Sequence, residues 1–151
     1  MNGKMKLLAA AAVVLLAAAT LAAQGVVPRP CCIAGEYKGS HIDTRLANCP
    51  LPQAESFTMT IYQDRGCGEN VWGRIVDTSG HVSEFKGTVR RGLRGCCILK
   101  ASFPDGPPPG HIDFEITLCQ TAGKWRGKGV YKYVLTGEPC KTGGTLQVQQ
   151  I

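Results

Sequence analysis

Two stretches place titratable side chains two residues apart, the spacing that puts them on one face of a β-strand. His41 and Asp43 form a pair, and His111, Asp113 and Glu115 form a longer stripe. Imidazole and carboxylates gathered on one face could hold a divalent cation. The alternate positions, Ile42 and Ile112, are apolar, so the same spacing also describes the solvated face of a half-buried strand. No ligand set of recognised spacing accompanies either stretch, and neither a metal site nor a cofactor is expected. Catalytic signatures are absent too: there is no Gly-x-Ser-x-Gly turn, no His-Glu-x-x-His helix and no glycine-rich phosphate loop. The chain is therefore expected not to be an enzyme.

Cysteine is the other chemically capable residue. All eight (Cys31, Cys32, Cys49, Cys67, Cys96, Cys97, Cys119 and Cys140) lie beyond the first thirty residues. There is no Cys-x-x-Cys pair, so zinc or haem attachment has no footing. An even number in a small exported chain predicts a disulfide framework, because an oxidising compartment lets such bonds persist. Four aromatic residues, Trp72, Trp125, Tyr131 and Tyr133, could line an apolar pocket or simply fill a core.

The elements that must position these residues are strands. In 55–63, Phe57, Met59 and Ile61 share one face while Ser56, Thr58 and Thr60 share the other. In 111–119, Ile112, Phe114, Ile116 and Leu118 oppose Asp113, Glu115 and Thr117. In 124–135, Trp125, Tyr131 and Tyr133 oppose Arg126, Lys128 and Lys132. Period-two alternation punctuated by Gly, Pro, Asp and Ser predicts eight strands, near 35–43, 55–64, 70–77, 81–90, 96–103, 111–120, 124–135 and 144–150. Short consecutive strands with close turns predict an all-β, antiparallel up-and-down meander. Closing it into an eight-stranded barrel removes the exposed edges and leaves an interior that side chains fill or one small ligand occupies.

Short motifs agree with that architecture. Gly35-Glu36-Tyr37-Lys38-Gly39 resembles the Gly-x-aromatic opening of lipocalin-type barrels, with Tyr37 where lipocalins carry tryptophan. Phe85-Lys86-Gly87-Thr88 and Lys124-Trp125-Arg126-Gly127 resemble the glycine-rich strands of avidin-type barrels. The resemblance implies a calycin-type meander barrel over most of the chain and carries no ligand residue with it.

In a closed meander, successive turns alternate between the two ends of the barrel. Cys31, Cys32, Cys67, Cys96, Cys97 and Cys119 then fall at one end, and Cys49 and Cys140 at the other. Strands one and eight meet at the seam, which predicts a Cys49–Cys140 bond. Adjacent cysteines rarely bridge each other, since the bond strains the peptide between them. Several arrangements of the other six stay open, a Cys97–Cys119 bond among them. A sparse repeat also runs through the chain. Cys31-Cys32-Ile33 precedes His41-Ile42-Asp43 and Cys49, as Cys96-Cys97-Ile98 precedes His111-Ile112-Asp113 and Cys119. If it records a duplication, the two His-Ile-Asp segments should superpose.

The N-terminus reads as an export signal. Lys4 and Lys6 precede a 13-residue apolar run, Leu7–Ala19, and small residues follow, with cleavage expected near 23–25. Extended to Ala23 the run has only 17 residues, at the lower limit for a membrane span, and no basic stop-transfer cluster follows it. Cys31 is too far downstream to carry a lipid anchor. The expected organisation is a signal peptide over 1–25, a lead-in over 26–34 and one barrel domain over 35–151. Loss of Lys4 and Lys6 takes the formal charge from +6 to +4. The basic cluster Arg90, Arg91 and Arg94 has no adjoining aromatic platform, so it reads as a solvated turn and nucleic acid is not an expected partner. The product is expected to be secreted or periplasmic, without stable membrane insertion after cleavage. Its first expected role is a non-catalytic structural or interaction module with an unknown protein partner. The alternative is a binder of a small apolar ligand, and a metal-binding or enzymatic role ranks third. A solid interior would favour the first, an apolar cavity the second.

Overall fold

In a computed structural model, described for residues 30–44, 54–104, 110–134 and 142–151, the chain forms eight antiparallel strands. They are β1 (Gly35–Asp43), β2 (Ala54–Gln63), β3 (Asn70–Asp77), β4 (Val82–Arg91), β5 (Cys97–Pro104), β6 (His111–Thr121), β7 (Lys124–Val134) and β8 (Gly143–Gln150). Each pairs with its sequence neighbour, and β8 pairs back onto β1, closing the barrel. The alternation read from the sequence sets the faces: Met59 and Ile61 of β2 and Ile112 to Leu118 of β6 point inward, and their polar neighbours point out.

Local chemistry explains the turns. Between β3 and β4 the Asp77 carboxylate accepts hydrogen bonds from the Ser79 and His81 backbone N–H groups at 2.8 and 2.9 Å and from the Ser79 hydroxyl at 2.6 Å. The Ser79 hydroxyl bond leads in holding the Asp77 carboxyl below the usual carboxylate range. Between β6 and β7 the two-residue turn Ala122-Gly123 has positive φ at both positions, as the twist of a tight hairpin demands.

The two ends of the barrel differ. At the lower end, where β1 begins, residues 30–34 form a plug across the opening that buries Ile33 completely. Gln63 ties it down: the Ile33 N–H donates to Gln63 Oε1, and Gln63 Nε2 donates to the Cys31 and Gly68 carbonyls. The buried Tyr37 hydroxyl donates to the Ile33 carbonyl at 2.5 Å, and the Trp125 indole N–H to the Cys32 carbonyl at 2.8 Å. Disulfides Cys31–Cys97, Cys32–Cys67 and Cys96–Cys119 all lie at this end. The six cysteines assigned to one end from turn parity are thus bonded to one another.

Cys97 and Cys119 do not pair. Cys97 points into the barrel opposite Leu118, while Cys119 points outward one residue on, so the pleat puts their side chains on opposite faces. Cys96, one residue earlier, meets Cys119 on the outside, and Cys97 takes Cys31 from the plug. The expected Cys49–Cys140 bond and the signal segment lie outside the described residues. The repeat does not survive as a duplication. His41-Ile42-Asp43 closes β1 with His41 and Asp43 turned inward, whereas His111-Ile112-Asp113 opens β6, running the other way, with Ile112 turned inward.

Candidate ligand cavity at the upper end

At the upper end the described residues leave the interior unfilled. A cavity of about 210 Å³ is lined by residues from all eight strands. Met59, Ile75, Phe114 and Ile116 form its deep part, and Phe57, Phe103, Tyr133 and Leu146 its walls. Glycines make room for the rings. A side chain at Gly39 would collide with the Phe57 ring, one at Gly73 with Phe85, and one at Gly144 with the Tyr131 hydroxyl. Each ring thereby packs close against a neighbouring strand's glycine. Phe114 sits edge-on to Phe85, with ring centroids 5.4 Å apart, and is tilted against Phe103 at 6.1 Å.

Polar groups collect at the rim. His41, Glu55, Asp77, His81 and Ser83 line the outer part of the cavity. The Tyr131 hydroxyl donates to Asp43 and lies 3.2 Å from His41 Nδ1. Because the phenol proton is committed to Asp43, His41 Nδ1–H is the donor to the Tyr131 oxygen. His41 Nε2 then faces Glu55 Oε2 at 3.6 Å. Burial first, and then the Asp43 carboxylate, push the Tyr131 phenol well above the ordinary tyrosine range, so it stays protonated at neutral pH. Among the described residues no three His, Cys, Asp or Glu side chains are arranged so that they could hold a metal ion. The His111, Asp113 and Glu115 stripe faces outward, where His111 meets Asp113 at 3.3 Å and Glu115 meets Lys100 at 2.7 Å.

The four aromatic residues singled out in the sequence separate. Tyr131 and Tyr133 line the cavity, 5.9 Å apart and edge to face. Trp125 belongs to the lower plug, at 8% exposure. Trp72 is 43% exposed on the outer wall, stacked on its cross-strand neighbour Tyr62. His41, Glu55, Phe57 and Phe103 also line the cavity, though the sequence singled out none of them for an apolar pocket. Parity would have placed His41 and Asp43 inside, since both lie an even number of residues from the buried Tyr37; the apolar but exposed Ile42 pointed the other way.

No protein-family model matches the chain, and neither a curated protein nor a solved structure is significantly similar to it.

Proposed function

We propose that this barrel is an exported, non-catalytic carrier or sensor of a small, largely apolar molecule. The observation that carries the reading is the division of the interior: solid and crosslinked below, hollow and aromatic-lined above. A structural module gains nothing from an unfilled core, because voids forfeit packing contacts. The size narrows the ligand. A cavity of roughly 150 Å³ lined by aliphatic and aromatic side chains holds a benzene-sized molecule, so about 210 Å³ suits a single ring with one short substituent. Tyr131, His41 and Glu55 give that substituent hydrogen-bonding partners at the rim. The lipocalin- and avidin-like strand motifs fit this use of a barrel interior.

A catalytic use has less support. The phenol nearest His41 is held protonated, and the described cysteines are all bonded in pairs. The three disulfides support an oxidising, extracellular or periplasmic setting. The test is thermal stabilisation by single-ring alcohols and phenols. Ligand at about a hundred times its dissociation constant adds roughly 2.7 kcal/mol to stability. A Leu146→Phe variant, which fills the hollow, is expected to lose the response. If no probe raises the melting temperature, or if the filled variant responds equally, the proposal fails.

A further inference from the structure

The outer wall carries a second feature, independent of the interior cavity. A hollow of about 1050 Å³ runs over the outward faces of β6, β7, β8 and β1. Its cations are Lys124, Arg126 and Lys128 on β7 and Lys38 on β1, and no acidic or aromatic side chain lines it. Among the described residues none of these four cations has an ion-pair partner. The carboxylates of β6 are engaged elsewhere, Glu115 with Lys100 and Asp113 with His111. Glu36, two residues below Lys38 on the same outward face, is the nearest acid along β1. Strand pairing sets the layout. Arg126 lies opposite Gln149, which lies opposite Lys38, and Lys128 lies opposite Gln147, which lies opposite Ser40.

We infer that this trough binds an anionic polysaccharide chain. The extent of the cation row favours a repeating polyanion over a single small anion. Lys124 to Lys128 spans four residues of strand, about 13 Å, and Arg126 to Lys38 spans two interstrand steps, about 10 Å. Cations distributed over that length and width match charges repeated along a chain. The floor supplies hydroxyls and amides, from Ser40, Thr117, Gln147 and Gln149, as a hydroxyl-rich chain requires. Nucleic acid would find no ring in the trough on which to stack a base. A lipid surface is planar and would meet the rims rather than the floor.

The probe is a heparin dodecasaccharide titrated into the oxidised protein at about physiological ionic strength, where surface charge is already partly screened. Saturable binding that weakens as salt rises is expected. Arg126→Glu with Lys128→Glu should weaken it about tenfold or more, and Lys38→Glu by a smaller factor. Arg90→Glu with Arg94→Glu makes the same change in net charge outside the trough and should leave affinity within about threefold. Circular dichroism and disulfide mapping check that each variant folds. Absence of binding, equal loss in both double variants, or equal affinity for single-stranded RNA or anionic vesicles would each overturn the inference.

Discussion

Tyr37 and Tyr131 are the two residues whose chemistry the barrel changes most. Tyr37 is wholly buried and donates to the Ile33 carbonyl, and burial alone pushes its phenol well above the ordinary range. Tyr37→Phe strands that carbonyl without a partner, at an expected cost of about 1–2 kcal/mol in denaturant unfolding. The pH dependence follows from the same burial. Both folded-state values are raised, so the stability these phenols contribute is complete below the unfolded value of about 10 and is lost as pH rises above it. Unfolding free energy is expected to fall above about pH 10, less steeply in Tyr37→Phe; a flat profile would contradict the buried placement. At this scale the sequence was only half legible. Tyr131 and Tyr133 were candidates because of their alternation on β7, but nothing local separates a wall tyrosine from Trp72, which faces solvent. That distinction depends on which face each strand turns inward, and the flanks of Trp72, Val71 and Gly73, say little about it.

Strands were the most legible elements, since period two and turn residues report them directly. β6 and β7 show why: eleven residues each, apolar on one face and polar on the other, joined by Ala122-Gly123. Harder to see was the close approach of backbones across strands. A methyl on Gly129 would lie 2.0 Å from the Glu115 carbonyl oxygen, inside the ladder that joins β6 and β7. Gly129→Ala must push those strands apart and is expected to cost about 1–3 kcal/mol, measured by chemical denaturation. An unchanged midpoint would show that the wall is looser than drawn. The pleat also decides the disulfides. Turn parity gathers six cysteines at one end, but only face parity distinguishes Cys96 from Cys97 as the partner of Cys119.

Across the whole molecule, the disulfides and the proposed ligand cavity occupy opposite ends. The plug, its buried Ile33 and three disulfides close the lower end. The Cys31–Cys97 bond spans 66 residues, and removing it as Cys31→Ala with Cys97→Ala should cost about 3–4 kcal/mol by freeing the unfolded chain. Peptide mapping of the oxidised protein should return the three lower bonds together with Cys49–Cys140. In sequence, Cys49 follows Thr44 by five residues and Cys140 precedes Gly143 by three, and the Thr44 N–H donates to the Gly143 carbonyl across the seam. A free thiol at either position would argue against a clasp there. With one end so fastened, the other can keep an unfilled interior without the barrel collapsing. The most direct test is a methyl-resolved NMR titration of the oxidised protein with phenol. Saturable shifts are predicted at Met59, Ile75, Ile116 and Leu146 around the cavity, with Ile33 and Leu118 at the sealed end unmoved. Shifts spread evenly over both groups, or no saturable shift at the first, would contradict it.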